Sequence, residues 1–154
     1  MKIDLKWDKP FPLRDGSRSN LIYTCHPLER ISNGPGVYVF ARSFGRVVVP
    51  LYIGQAVRLR DRLEQQLNNV RLMMGIERAE AGRRLLLIGH LKLHRGQRKG
   101  KVLDVVESAI IKRALADGHD LLNKHGVRTK VHAIKSKGNT ASRQVVPLTM
   151  YVER

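Results

Sequence analysis

One cysteine, Cys25, stands in 154 residues, so no internal disulfide forms and no cysteine-based zinc site is available. It reads as a small apolar residue of the core. Long apolar runs are missing too. No window approaches the ~18 residues that a membrane span needs, and Met1 to Pro10 hold no apolar stretch of the signal-peptide kind. The expected location is the cytoplasm, with no membrane partner. No segment repeats or is of low complexity, and neither a glycine-rich phosphate loop nor a nucleophilic Ser or Cys constellation is present. Acidic residues are scarce. Thirteen Asp and Glu face 29 Lys and Arg, leaving a net charge of +16. A fold tolerates that self-repulsion more easily against a polyanion, and nucleic acid is the commonest one. What is left is ordinary: 42% hydrophobic residues, enough for one core and too few for two, hence a single domain over 1–154.

The patterning alternates between strand and helix. Residues 1–33 are mixed, with Leu21-Ile22-Tyr23 as a candidate edge strand. Asn33-Gly34-Pro35-Gly36 is a turn and Val37-Tyr38-Val39-Phe40 a strand; after Ser43-Phe44-Gly45-Arg46, Val47 to Ile53 returns as the second arm of an antiparallel hairpin. Pro50 predicts that this arm is an edge or carries a bulge. Leu59, Leu63, Leu67 and Val70 predict one helix from Ala56 to about Met74, apolar on one face and basic on the other. Leu85 to Leu93 reads as a central strand and Arg95 to Lys101 as a basic turn. Val102 to Ala116 reads as a second helix that stops at Asp117-Gly118. The tail from Leu121 carries two more β-type runs, Val127–Ile134 and Gln144–Val152, and seven Lys or Arg against one Glu. The expected class is α+β: a small, mostly antiparallel sheet flanked by helices, with extra β elements at both ends.

One carboxylate stands out. On the second helix Val102, Val106, Ala109 and Ile110 are expected to form the buried stripe, with Glu107 at its edge beside Leu103 and Ala114. Asp104, Asp117 and Asp120 are assigned to the outer face or the helix end, where solvation and capping account for them. A hard cation wants oxygen ligands, and one carboxylate completed by phosphate and water is typical of Mg²⁺.

Between Gly34 and Asn123 the chain resembles the GIY-YIG nuclease family. Gly36-Val37-Tyr38 is similar to the first signature triplet and Tyr52-Ile53-Gly54 to the second. Arg62 matches the family's helix arginine, Glu107 in Val106-Glu107-Ser108-Ala109 its metal-anchoring carboxylate, and Asn123 in Leu121-Leu122-Asn123 its asparagine. The stretch Leu51–Leu63 resembles the catalytic domain of bacterial excision-repair nucleases and small phage-type endonucleases. The resemblance implies a core over 34–123, with 1–33 and 124–154 as flanking nucleic-acid-binding or oligomerisation elements. It also implies hydrolysis of DNA phosphodiester bonds with Mg²⁺ or Mn²⁺ held by Glu107. Arg62 would meet the charge on the pentacovalent phosphorus, with Tyr38 as base and Tyr52 as its partner. A phenol of pKa about 10 needs nearby cations for that task. Gln55 follows the second triplet where many relatives carry Lys and is counted with the site. Gln66 stands one turn past Arg62, where relatives often carry His or Tyr.

Arg95, Arg98, Lys99 and Lys101, and in the tail Lys124, Arg128 and Lys130, are expected to bind the nucleic-acid backbone, with Arg46, Arg58 and Arg60 extending the path. His90 and His94 share a strand face with Lys92 but lack a third zinc partner, so a phosphate-facing or solvated role is expected. His26, His119, His125 and His132 show no metal spacing. Several functions fit these residues. Restriction-type cleavage would call for two sites and hence a homodimer, and repair, phage-type or toxin-like cleavage needs no sequence reading. Gln55 and Gln66 motivate a binding protein that has lost catalysis, and RNA stands as an alternative polyanion.

Overall fold

The computed structural model describes residues 1–123 and 131–153. In chain order the elements are β1 (Asp4–Trp7), β2 (Phe11–Asp15), β3 (Tyr23–Cys25), β4 (Gly36–Phe44), β5 (Val47–Ala56), α1 (Leu59–Leu67), α2 (Val70–Glu77), β6 (Arg83–Lys92), α3 (Lys99–Ala116), β7 (Val131–Lys135), α4 (Thr140–Val145) and β8 (Thr149–Glu153). The class is α+β. Six antiparallel strands form the main sheet in the order β3-β2-β6-β4-β5, and β1 pairs the far half of β6 beside β2; β7 and β8 form a separate antiparallel pair, with β8 alongside α3. Among the described residues no helix is long and apolar enough to cross a membrane.

Strand β4 is buried from Gly36 to Ala41, which is why its residues run apolar without alternation. Its two faces feed two cores. Tyr38 and Phe40 pack with Leu59, Leu63 and Leu67 of α1, Leu72, Met73 and Ile76 of α2, and Leu86 and Ile88 of β6. On the other face Val39, Ala41 and Ile53 meet Ile111, Ala114 and Leu115 of α3, while Val37 and Leu91 meet Val102, Leu103 and Val106. The sheet thus lies between α1–α2 and α3. As expected from Pro50, β5 is an edge strand and carries a bulge: Phe40 faces Tyr52 but Ala41 faces Pro50, leaving Leu51 as the extra residue.

Several elements differ from the sequence expectation. The helix expected from Ala56 to Met74 is two helices, broken at Asn68-Asn69, and Val70 is exposed rather than on the apolar stripe. The side chain of Asn69 caps the second piece by accepting the Leu72 N–H at 3.1 Å. Strands β1 and β2 lie within the segment that reads as mixed, because their few apolar residues are interleaved with charge and proline. The edge strand expected at Leu21–Tyr23 lies two residues later, at Tyr23–Cys25. Helix α3 opens at Lys99, so Lys99, Gly100 and Lys101 are helical rather than part of a turn. In the tail, Gln144 and Val145 end the short α4, and β8 begins only at Thr149. Cys25 is buried, as expected, and burial pushes its thiol up to about 11.

Gly36 shows how tightly the hairpin is seated. A Cβ there would overlap the main-chain carbonyl of Gly89 and lie 2.6 Å from Leu59 Cδ1. Its neighbour Gly34, whose carbonyl accepts the Leu59 N–H at 3.0 Å, has only the Ser32 hydroxyl near the equivalent position, at 3.7 Å. Gly36→Ala is therefore expected to destabilise the protein by about 2 kcal/mol or more, and Gly34→Ala by no more than roughly 0.5 kcal/mol. Chemical denaturation of both variants checks this. Equal losses would contradict the close approach of β4, β6 and α1.

Candidate active site

The candidate site lies where the two faces of the sheet meet around edge strand β5. Tyr38 stands on the inner strand β4, directly opposite Gly54. Because Gly54 has no side chain, the phenol crosses over it: a Cβ at Gly54 would lie 2.5 Å from the Tyr38 Cζ and Oη atoms. The glycine lets an inner-strand tyrosine bring its hydroxyl to the sheet edge while only 1% exposed. Tyr52 lies two residues before Gly54 on the same face of β5, and its ring stacks on that of Tyr38 with centroids 6.2 Å apart and 21° between planes.

Both phenol oxygens meet one buried amide. Gln66 of α1, 3% exposed, donates from Nε2 to Tyr38 Oη at 2.7 Å and to Tyr52 Oη at 3.3 Å. Arg62, one turn earlier on α1, donates from Nη1 to Gln65 Oε1 at 3.3 Å, and its positive charge favours the Tyr38 phenolate. Burial is the largest influence on Tyr38 and pushes its pKa above the ordinary phenol range; the Gln66 bond opposes it, Tyr52 adds to it, and Arg62 opposes it. Arg62 is held charged even more firmly than usual, first by the Tyr38 oxygen and also by Tyr52 and Glu107.

The carboxylates arrive from the opposite face. Residue 55 points the other way from Gly54 along the strand, so Gln55 faces α3, where its Nε2 donates to Asp104 Oδ1 at 2.6 Å and to Glu107 Oε2 at 3.1 Å. Glu107 is half-buried. The stripe of α3 is Val102, Leu103, Val106, Ile111, Ala114 and Leu115, while Ala109, expected on it, is exposed. At 3.6 residues per turn this rotation sets Glu107 inside the buried arc rather than at its edge. Burial raises its pKa most; Gln55 lowers it, Asp104 raises it and Arg62 lowers it. Asp104 is exposed, as the helical pattern expects, and still reaches the site through Gln55. The signal that could have found it is its i,i+3 spacing from Glu107, which sets both acids on one side of α3.

Asn123 is brought to the same strand in a structural part. Its Nδ2 donates to the Ile53 carbonyl at 2.6 Å and its Oδ1 accepts the Ile53 N–H at 3.5 Å, while Leu122 N–H donates to Leu51 O at 2.8 Å. It closes the free edge of β5 between Tyr52 and Gly54 and positions both. Arg60 also differs from expectation: it is half-buried and its Nε donates to the Ile31 carbonyl at 2.9 Å, which anchors α1. Arg58 is exposed and paired with Asp61 at 3.0 Å. Arg95, Arg98, Lys99 and Lys101 are all exposed, and the last three lie on or beside the first turn of α3, leading along the helix to Asp104 and Glu107. Arg46 sits at the hairpin tip, six residues from Tyr52, a span of about 20 Å in a strand. Lys124, His125, Arg128 and Lys130 lie outside the described residues. His90 and His94, expected to face phosphate or solvent, are partly exposed and each meets an N-terminal carboxylate at 2.7 Å, Asp8 and Asp4 respectively, which ties the N-terminal segment to β6. Among the described residues no group of three or more His, Cys, Asp or Glu side chains could hold a metal by itself.

No family model matches the chain, and neither do the curated proteins or the solved structures.

The raised Glu107 pKa has a definite sign for stability. The fold favours the neutral carboxyl, so the stabilisation from this group is complete below the ordinary glutamate range, about 4.3, and is lost as pH rises through the raised value. Gln at this position stays neutral and still accepts from Gln55. Glu107→Gln is expected to raise Tm at pH 7 by roughly 1–3 °C, with the gap narrowing toward pH 4 in thermal melts. A lower Tm at pH 7 would contradict a carboxylate held at the expense of stability.

Proposed function

We propose that this chain is a metal-dependent endonuclease of the GIY-YIG type that hydrolyses phosphodiester bonds in DNA. One observation carries the reading: a buried phenol oxygen that accepts from Gln66, with the charge of Arg62 acting on it, lies across a single edge strand from the half-buried Glu107, whose Oε2 accepts from Gln55 of that strand. Core packing requires none of these groups to converge, and together they supply a proton acceptor, a fixed cation and an oxygen ligand.

The donor set fits a hard divalent cation and not zinc. Glu107 and Asp104 offer carboxylate oxygens, the burial of Glu107 favours a positive neighbour, and substrate phosphate and water would complete the coordination. Mg²⁺ or Mn²⁺, when bound, supplies Lewis acidity that stabilises charge on the phosphate and on the leaving oxygen. The remaining work belongs to the chain. Tyr38, as phenolate, takes a proton from a water whose oxygen attacks phosphorus. The bond from phosphorus to one sugar oxygen breaks and that oxygen takes a proton from solvent, leaving a phosphomonoester end and a hydroxyl end. Gln66 and Arg62 oppose the effect of burial on Tyr38 without overcoming it, so the phenolate would also need the positive charge of a bound cation, and the guanidinium of Arg62 would meet the charge that grows on the phosphoryl oxygens. The exposed cations before Asp104 bind the backbone without reading bases.

The second reading, a binding protein of the same architecture without catalysis, is favoured by one observation: the Gln55 amide already bridges both carboxylates. Supercoiled plasmid incubated with Mg²⁺ or Mn²⁺ separates the two. The wild type is expected to cut, with Arg62→Ala and Glu107→Ala slower by roughly 100-fold or more; discrete fragments would indicate restriction-type specificity, nicks and smears a less selective enzyme. Wild type no faster than both variants, on DNA and on RNA, would leave only the binding reading. For the backbone contacts, Glu107→Ala protein is expected to lose duplex affinity steeply with salt. Replacing Arg95, Arg98, Lys99 and Lys101 together by Ala should flatten the log–log slope by about 3 units. An unchanged slope would remove this surface from the interface.

A further inference from the structure

The break between α1 and α2 lies one contact away from the two phenols. The chain of contacts starts at the cap of α2, where the Leu72 N–H, a group that can only donate, meets Asn69 Oδ1 at 3.1 Å. That identifies which end of the Asn69 amide is oxygen, and its Nδ2 then donates to Gln66 Oε1 at 3.4 Å. With Gln66 oxygen turned toward Asn69, only its Nε2 faces the phenols, and its two protons are used on Tyr38 at 2.7 Å and Tyr52 at 3.3 Å. The identity of each amide end follows from its partners, and here a main-chain donor sets the first of them.

We infer that Asn69 is a positioning residue for the reaction: through Gln66 it compels both phenol oxygens to accept, and selects Tyr38 over Tyr52 as the one that gives up its proton. The inference rests on the hydrolytic reading of this cleft. Tyr38 Oη takes the shorter bond, 2.7 Å against 3.3 Å, and the charge of Arg62 favours its phenolate. One lone pair is thereby engaged by a short bond, and loss of the hydroxyl proton leaves that bond in place and strengthens it. Tyr52 receives only the longer bond from the same amide. The charged groups around Tyr38 are Arg62 on α1 and, beyond it, Glu107 on α3; Tyr52 is the titratable neighbour on β5. A flipped Gln66 would present its carbonyl to the phenols and turn both into donors, which disfavours the phenolate.

Asn69→Ser tests the inference, because Ser retains the cap and the charge but is too short to reach Gln66. Gln66→Met removes both donors. The readout is tyrosinate absorbance of the protein without metal or nucleic acid, with fluorotyrosine in place of tyrosine so that ionisation falls within the folded range, and with Tyr38→Phe to identify the Tyr38 component. Asn69→Ser and Gln66→Met are both expected to move the Tyr38 ionisation upward, Gln66→Met further. In cleavage, Asn69→Ser should shift the rising limb of the pH–rate profile to higher pH and slow the reaction about 10-fold at neutral pH. A Tyr38 titration unchanged by Asn69→Ser overturns the inference, even if Gln66→Met moves it. A wild type that fails to cleave anything defeats the hydrolytic reading, whereas the titration judges the hydrogen-bond direction alone.

Discussion

The hydroxyl of Tyr38 is inside the protein, and a buried polar group must find partners. The fold around the cleft follows from how it finds them. The ring comes from an inner strand, so the residue opposite must be glycine, and Gly54 is. The oxygen emerges under α1, so a donor is needed on that helix one turn after Arg62, and Gln66 fills the place at 3% exposure. A buried amide needs an acceptor's complement at its other end, and the helix breaks at Asn68-Asn69 to present one. Fixing one hydroxyl accounts for a glycine, a glutamine and an interrupted helix.

The edge strand joins two half-sites that belong to different cores. The pleat sends Tyr52 and the space above Gly54 toward α1, and Gln55 toward α3. An edge is normally a hazard, since its unpaired main-chain groups invite other strands. Here Leu122 and Asn123 close part of it by hydrogen bonds to Leu51 and Ile53. An edge also allows groups from the two faces to meet around one strand rather than through a sheet. That geometry suits an extended polyanion better than a small enclosed ligand, and the exposed cations at the start of α3 continue in the same direction.

The legible parts were those set by local pattern. The hairpin, the edge position of Pro50, the central strand and the end of α3 all follow from periodicity and turn residues. The parts that were not legible depend on tertiary contact. Nothing in the apolar spacing of Leu59, Leu63, Leu67 and Val70 indicates a break, because the break is made by a side-chain cap at Asn69. Asp104 is solvated as its pattern indicates, and only the contact with Gln55, on a strand 49 residues away, brings it to the site. Asn123 reads as a site residue and proves to hold the main chain of Ile53, while Arg60 reads as a surface cation and holds Ile31. The histidines pair with carboxylates more than 80 residues distant, in a segment whose strands are too short and too charged to declare themselves.

The central claim is that Glu107 and Arg62 act on one phosphate. Diffraction from Tyr38→Phe protein crystallised with a short DNA duplex and Mn²⁺, using the anomalous signal of manganese, tests it most directly. Manganese is expected on the Glu107 carboxylate, with a backbone phosphate between that ion and the Arg62 guanidinium. A duplex seated away from Arg62, with no manganese at Glu107, would contradict it.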